Sequence, residues 1–129
     1  MKDRQISVFI TNRAGELARM TSHLARFNVN IKAISASEAM DYGIVRMITN
    51  DADKAGAALA EGGYGFVMTD VVAAEIPDRP GALSDVCGKL ADAGINIRYV
   101  YATVTPGGGV AMAVFSTDDN DRAEQVIGG

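Results

Sequence analysis

Hydrophobic and polar residues alternate with two different periods near the start of the chain. Apolar side chains occupy every second position from Ile6 to Ile10, which is typical of a half-buried strand. From residue 17 onward they recur at helical spacing, at Leu17, Met20, Leu24 and Phe27. This change of period predicts a strand followed by an amphipathic helix.

The pattern continues with a hairpin, a short helix and a long strand. Residues 31–39 and 43–49 are predicted to be strands joined by a turn, and residues 51–60 a helix that ends at Glu61-Gly62-Gly63. The apolar run over residues 66–76 is long enough to contribute a strand to both groups of elements. Its first half is expected to close this group of elements, and its second half, from Val71, to open the next.

The same order of elements then repeats. A helical stripe over residues 83–93 precedes strands at 97–104 and 110–116, and a helix is predicted at 120–127. An offset of 66 positions relates the two copies without a gap, and it pairs Arg13 with Arg79, Gly15 with Gly81, Leu17 with Leu83, Leu24 with Leu90, Asn30-Ile31 with Asn96-Ile97, and Gly43 with Gly109. The chain is therefore predicted to be an internal duplication.

Each copy has the element order βαββαβ, the ferredoxin-like arrangement of an α+β fold. We expect one domain over residues 1–70 and a second over residues 71–129, packed side by side. The sequence stops after the last predicted helix of the second copy, so this copy is expected to lack its final strand.

Composition and charge argue against several classes of protein. A hydrophobic fraction of 48% permits a packed core, while a net charge of −4 and scattered Lys and Arg residues argue against a nucleic-acid partner. No stretch approaches the roughly 18 apolar residues of a membrane span. Cys87 is the single cysteine, which excludes a disulfide framework and a cysteine-rich zinc site. No motif indicates a cofactor or a metal, and a cytoplasmic location is the simplest expectation.

Two hexapeptides, Asn12-Arg13-Ala14-Gly15-Glu16-Leu17 and Asp78-Arg79-Pro80-Gly81-Ala82-Leu83, resemble the Asn/Asp-x-Pro-Gly-x-Leu opening of the ACT domain family. In that family a helix and a Gly-Ile/Val-Asn-Ile segment follow, matched here by residues 28–31 and 94–97. The chain is similar to stand-alone tandem ACT proteins and to the regulatory tails of aspartokinase and phosphoglycerate dehydrogenase. The resemblance implies a regulatory protein without catalytic activity. It also implies an amino acid effector bound between two ACT units, at the loop joining the first strand to the first helix.

The chemistry of helix ends agrees with a ligand site at this loop. The first N–H groups of a helix lack partners and carry a partial positive charge, which suits a carboxylate. A glycine lets a ligand approach the backbone, and an Asn or Asp either caps the helix or binds an ammonium group. The predicted ligand-binding residues are Asn12, Arg13, Ala14, Gly15, Glu16, Leu17, Asn30 and Ile31 in the first copy, and Asp78, Arg79, Pro80, Gly81, Ala82, Leu83, Asn96 and Ile97 in the second.

The resemblance to the serine-regulated dehydrogenase tail implies that Asn12, Asn30 and Asn96 contact the effector. The chain departs from the family at Asp78, where an acid replaces the amide, and at Ala14, where the family has proline. In the alternative interpretation, Asn30 and Asn96 are turn residues that satisfy local backbone groups.

Two other functions stay open at this point. Arg13 and Asn30 partly match the anion site of an acylphosphatase, although the glycine-glutamine-glycine loop of that family is missing. A ligand-free oligomerisation module is the other alternative. The predicted strand at 97–104 is apolar on both faces, so we expect a second copy of the chain or an unidentified protein to cover it, and a homodimer is the first expectation. His23 is expected to be exposed on its helix.

Overall fold

The computed structural model describes residues 1–39, 41–104 and 106–128. Ten elements follow one another along the chain: β1 (Lys2–Thr11), α1 (Glu16–Arg26), β2 (Ile31–Ala39), β3 (Tyr42–Thr49), α2 (Ala52–Glu61), β4 (Gly65–Pro77), α3 (Ala82–Asp92), β5 (Ile97–Val104), β6 (Val110–Thr117) and α4 (Asn120–Gly128). This order confirms the predicted α+β fold of two ferredoxin-like copies. The predicted turns at residues 40–42 and 105–109 fall partly outside the described residues.

The chain forms two compact units. We call Arg4–Thr69 the first unit, and Met1–Asp3 together with Asp70–Gly129 the second unit. The sequence-based domain boundary between residues 70 and 71 stays a prediction.

The first unit is a sheet with two helices on one face. Its strand order is β2-β3-β1, and the first part of β4 follows β1. Both β1 and β2 run antiparallel to β3, so Ile6 lies opposite Met47 and Thr11 opposite Tyr42. The core between sheet and helices is apolar, and its fully buried members include Ile6, Val8, Met20, Leu24, Met47 and Leu59.

The second unit repeats this plan with the strand order β4-β6-β5. The predicted match of Gly43 with Gly109 is wrong, because Ile10 lies opposite Gly43 while Ile76 lies opposite Ala111, so two additional residues separate the hairpin strands of the second copy. Its core consists of Val72, Ile76, Leu90, Ile95, Ala111, Ala113, Phe115 and Ala123. Val100 and Val104 on β5 are 37% and 48% exposed, so the apolar surface noted in the sequence is present on this strand.

The place of a closing strand in the second unit is taken by the first residues of the chain. Met1 and Ala73 exchange two backbone hydrogen bonds of 2.8 Å, which places Met1–Asp3 beside β4. Lys2 adds a salt bridge of 2.6 Å from its Nζ to Asp121 on α4. This hydrogen-bonded contact raises the pKa of Lys2 above its ordinary value.

His23 is a correction to the sequence analysis, because its side chain is only 13% exposed. It lies against α2, where Nε2 donates a hydrogen bond of 2.7 Å to the carbonyl of Ala58. The rings of Phe27 and Tyr64 pack beside it with centroids 5.1 and 5.8 Å away. His23 lies off the apolar stripe of α1, but α2 covers its side chain. The hydrophobic pattern of α1 alone cannot show that another helix packs there.

Glycine is required at the start of α1 and of α3. Gly15 and Gly81 are the N-cap residues, with φ angles of 88° and 87°, and neither helix has a side-chain cap at this position. Asn12 therefore does not cap α1, one of the two roles considered for it. The left-handed conformation costs an L-residue with a Cβ roughly 1–2 kcal/mol.

Replacing Gly15 or Gly81 by alanine is expected to lower the free energy of unfolding by about 1–2 kcal/mol. A Cβ at Gly15 would meet no heavy atom within 4 Å, so the loss reports backbone strain rather than a clash. Gly88→Ala is the matched control, because Gly88 lies inside α3 with the same open surroundings. That change is expected to add up to about 1 kcal/mol of stability. Urea denaturation followed by circular dichroism measures all three, and a loss for Gly88→Ala equal to the others would contradict the argument.

Candidate functional site

A cavity of about 210 Å³ opens in the first unit beside the loop that joins β1 to α1. Its lining comes from β1, this loop, α1 and the two strands β2 and β3, and consists of Ile10, Thr11, Asn12, Arg13, Leu17, Ala36, Ser37, Glu38, Gly43 and Val45. The cavity therefore lies at the end of the sheet where β1 stops.

Strand register explains why the floor of the cavity is apolar and open. Residues directly opposite one another on antiparallel strands share a face, so Val8, Val45 and Ala36 form one row on the helix-covered side. The next row contains Ile10, Gly43 and Glu38. Small residues at positions 36 and 43 leave space where larger side chains would meet the helix.

Leu17 completes the floor from the side of the helix. It is the first member of the apolar stripe of α1, yet it is 39% exposed, whereas Met20 and Leu24 in the same stripe are fully buried. Leu17 borders the cavity instead of packing into the core. An apolar ligand group in the cavity would contact this side chain.

The rim of the cavity carries charges of both signs. The amide Nδ2 of Asn12 donates a hydrogen bond of 2.9 Å to Oε2 of Glu38. Arg13 is 72% exposed, and its Nη2 lies 4.0 Å from Glu16, at the outer limit of an ion pair. Such an arginine can turn toward an anion at little cost, because its side chain is mostly in solvent and its contact with Glu16, which is 18% exposed, is at the limit of an ion pair.

The start of α1 adds backbone donors next to these side chains. The first backbone bond of the α-helical pattern runs from the N–H of Arg19 to the carbonyl of Gly15 at 2.9 Å. By helix geometry, the N–H groups of Leu17 and Ala18 have no carbonyl one turn back. The helix end therefore offers amide donors and a partial positive charge to a carboxylate.

The structure brings three of the predicted ligand residues of the first copy to the cavity, namely Asn12, Arg13 and Leu17. Ala14, Gly15 and Glu16 belong to the same loop and helix start. Asn30 and Ile31 lie at the other end of the sheet, because β2 starts opposite Thr49 while β1 ends opposite Tyr42. At roughly 3.3 Å per residue, the nine residues of β2 separate the two ends by about 25–30 Å. Contact of Asn30 with an effector stays a prediction.

The two asparagines at the start of β2 and β5 have equivalent backbone roles. The N–H of Asn30 donates to Oδ1 of Asn50 at 2.9 Å, and the N–H of Asn96 donates to Oδ1 of Asp118 at 3.0 Å. Both side chains are exposed. In both contacts the backbone of the asparagine donates to a side chain that lies 20 or 22 positions later in the chain, so the role of the two asparagine side chains stays a prediction.

The corresponding loop of the second copy has equivalent backbone bonds but different side-chain contacts. The N–H of Asp78 donates to the carbonyl of Gly109 at 3.0 Å, as the N–H of Asn12 donates to the carbonyl of Asp41 at 3.2 Å. Arg79 donates to Asp85 at 3.1 Å and to the carbonyl of Pro80 at 3.2 Å. The remaining predicted residues occupy the loop, the start of α3 and the start of β5: Gly81, Ala82, Leu83, Asn96 and Ile97.

The strands provide a part of the cavity that was not predicted from the sequence. The predicted site residues did not include Ile10, Thr11, Ala36, Ser37, Glu38 or Val45, and Gly43 served only to align the repeat. One signal was available, because residues 34, 36 and 38 share a face and Glu38 is the charged residue on it. A carboxylate on the side that faces the helices is a reason to look for a polar contact there.

Neither a metal centre nor the acylphosphatase site is found in the part of the chain that the structure describes. Among residues 1–39, 41–104 and 106–128, no three side chains of His, Cys, Asp or Glu come together in a way that could hold a metal ion. Arg13 and Asn30, which an acylphosphatase site would require side by side, lie at opposite ends of the sheet. No helix in the described ranges is long and apolar enough to cross a membrane.

Comparison with known proteins places this geometry in a family. The chain matches the family profile described as an ACT domain pair over residues 1–128. It is similar to the crystal structure of protein BT0572 from Bacteroides thetaiotaomicron, with 36% identity and a TM-score of 0.92 over 99% of this chain and 88% of that one. A comparison with curated proteins found no match.

More distant structures share the fold. The ligand-free regulatory subunit of aspartate kinase from Thermus thermophilus is 14% identical, with a TM-score of 0.70 over 99% of this chain and 93% of that one. Aspartokinase III from E. coli, in complex with lysine and aspartate, is 15% identical, with a TM-score of 0.61 over 98% of this chain and 30% of that one. Because the profile match spans residues 1–128 and the identity to BT0572 is 36%, the chain belongs to the ACT domain pair family.

Proposed function

We propose that this chain is a non-catalytic regulatory protein that binds a free amino acid in the cavity of its first unit. Membership in the ACT domain pair family supports a small-molecule-binding regulatory role. The observation that carries the finer proposal is the cavity itself, which joins an apolar floor to a rim with charges of both signs.

The size of the cavity favours a small metabolite. Sites for drug-sized ligands occupy about 300–1,000 Å³, and this cavity measures about 210 Å³. A free amino acid has a compact zwitterionic head and one side chain, so it matches a rim of polar groups above a floor of aliphatic ones.

Each part of an amino acid has a complementary group at the rim or on the floor. The carboxylate would bind the start of α1, with the guanidinium of Arg13 turning toward it. The side chain would lie on Ile10, Leu17 and Val45. Binding there would stabilise the conformation of the β1–α1 loop that fits the amino acid, and so shift the equilibrium of a regulated partner.

A thermal-shift screen of the twenty L-amino acids tests the proposal on the full chain. At a concentration of 100 times Kd, binding adds about 2.7 kcal/mol to the stability of the folded state. For units of this size, Tm is then expected to rise on the order of 10 °C. A screen in which no amino acid raises Tm would favour a ligand-free oligomerisation module instead.

Arg13→Gln is expected to lower the affinity for the amino acid found in this screen by about 10-fold or more, because hydrogen bonds to charged groups contribute about 1.5–3 kcal/mol. Arg122→Gln on the exposed side of α4 is the control and is expected to leave affinity unchanged. Isothermal titration calorimetry measures both. Equal affinities for the two variants would mean that Arg13 does not bind the amino acid.

Asn30→Ala separates two versions of the site. If the amino acid contacts only the cavity, this change leaves affinity unchanged, because Asn30 lies at the other end of the sheet. The resemblance to the dehydrogenase tail predicts instead that Asn30→Ala and Asn96→Ala both weaken binding. The same titrations distinguish the two results.

A further inference from the structure

The two copies share most of the cavity floor but differ in its charged groups and at one glycine. Three positions that line the floor of the first copy have the same residue type in the second: Ile10 and Ile76, Leu17 and Leu83, Ala36 and Ala102. Opposite Ile76 and Val104 the strand register places Ala111, whereas Gly43 lies opposite Ile10 and Glu38. The position of Glu38, however, is Val104 in the second copy, and that of Asn12 is Asp78. The copies therefore differ in charge at the rim and in one small side chain on the floor.

In the first copy the carboxylate of Glu38 is held at the rim by a neutral donor. Its Oε2 accepts the 2.9 Å hydrogen bond from Asn12. This bond already has one ionised partner, and an ammonium donor would add the second charge, so that a Coulomb attraction between opposite charges is gained. An ammonium group that reaches Glu38 can therefore replace or supplement the amide of Asn12. An amino acid held in this way would have its carboxylate next to the start of α1 and near Arg13.

In the second copy the corresponding groups do not suit a zwitterion. Val104 has no charge to offer an ammonium group and is 48% exposed. Arg79, the counterpart of Arg13, has both guanidinium ends engaged with its own loop and helix, through Pro80 and Asp85. Asp78 adds a negative charge in the loop before α3, near which a carboxylate of a ligand would have to bind, and like charges repel. In the first copy the acid at the helix start, Glu16, is paired with Arg13 and Arg19.

We infer that Glu38 binds the ammonium group of the amino acid, and that each chain consequently binds one amino acid, in its first copy only. This inference rests on the proposed function and adds the group that recognises the ligand and the number of ligands per chain. It also defines the ligand class more narrowly. Small carboxylates without an amine, such as 2-oxo acids, lack the donor that Glu38 requires.

Titration calorimetry on the full chain tests the inference with two ligands: the L-amino acid that raises Tm most, and its 2-oxo acid. Both are titrated into the wild-type chain and into variants. The wild-type chain is expected to bind one amino acid per chain and to bind the 2-oxo acid about 10-fold or more weakly. Glu38→Gln is expected to lower the affinity for the amino acid by about 10-fold or more. The affinities for the amino acid and its 2-oxo acid are then expected to be closer to each other. Glu75→Gln, an exposed strand carboxylate away from the cavity, is the matched control and is expected to behave as wild type.

The triple variant Asp78→Asn, Val104→Glu, Ala111→Gly gives the second copy the rim residues of the first and a glycine in the position of Gly43. It is expected to raise the stoichiometry from one to two per chain, with a melting curve that confirms folding. An unchanged stoichiometry in the folded triple variant overturns the assignment of these three positions as the difference between the copies.

Other outcomes separate this inference from the proposed function. Two amino acids bound per wild-type chain overturn the single site but leave amino acid binding intact. Unchanged affinity in Glu38→Gln overturns the role of the carboxylate. If no amino acid binds at all, the proposed function itself fails, and the inference fails with it.

Discussion

Gly43→Val is expected to abolish most amino acid binding while leaving the protein folded. Gly43 lies on β3 between Ile10 and Glu38 and lines the cavity floor. A Cβ at this position would lie 3.4 Å from Cγ1 of Ile10 and 3.6 Å from the carbonyl oxygen of Ser37, which is close to ordinary contact. The strand therefore accepts a Cβ at this position, and the two γ carbons of valine are expected to occupy space that the amino acid would need.

The expected loss of affinity for the amino acid identified by thermal shift is at least about 10-fold, because inserting carbons into filled space costs about 1–3 kcal/mol. Stability is expected to stay the same or to rise by up to about 1 kcal/mol, since glycine is unfavourable inside a strand and valine is favourable. Titration calorimetry and urea denaturation measure the two quantities separately.

Gly65→Val is the matched control for this prediction. Gly65 begins β4 in the same unit, and a Cβ there would meet no heavy atom within 4 Å. This variant is expected to bind as wild type. If Gly43→Val also binds as wild type and is folded, the cavity is not the amino acid site.

Phe115→Ala is expected to lower the free energy of unfolding of the second unit by about 3–5 kcal/mol. Phe115 is fully buried on β6 and belongs to the core cluster with Val72, Ile76 and Leu90. Its removal leaves a cavity that a close-packed core cannot fully close, and the lost contacts are added to the lost burial of apolar surface. A loss of this size is a large fraction of the 5–15 kcal/mol that stabilises a typical domain.

Phe9→Ala is the matched control for this change. Phe9 is 40% exposed on the side of β1 opposite the core and contacts Tyr42 edge to face, with ring centroids 6.3 Å apart. The expected loss is about 1 kcal/mol or less, mainly from this aromatic pair. Urea denaturation followed by circular dichroism compares the two variants. Similar losses of stability would contradict the placement of Phe115 in the core of the second unit.

The order of the elements could be predicted because it depends on local periodicity. A period of two over residues 6–11 and a helical period from residue 17 gave β1 and α1, and the 66-residue offset extended the pattern to the second copy. The long strand predicted at 66–76 is β4, observed as Gly65–Pro77. Such patterns are set by which face of each element is buried, and that information is present in each segment by itself.

The candidate site was predictable only in part, for the same physical reason. The β1–α1 loop is contiguous in sequence, so its glycine and its helix start identified Asn12, Arg13 and Leu17. Glu38 reaches Asn12 across 26 residues, through pairing that a single segment does not specify.

The sequence by itself determined the duplication, the βαββαβ order of each copy and the loop that borders the cavity, because each of these is a property of local spacing. Tertiary structure alone decided that β2 and β3 complete the cavity, that Asn30 lies at the opposite end of the sheet, and that His23 is covered by α2. It also placed Met1–Asp3 beside β4 in the second unit. The physical reason is that strand register and helix packing join residues far apart in the chain, and these long-range pairings follow from how all buried faces fit together.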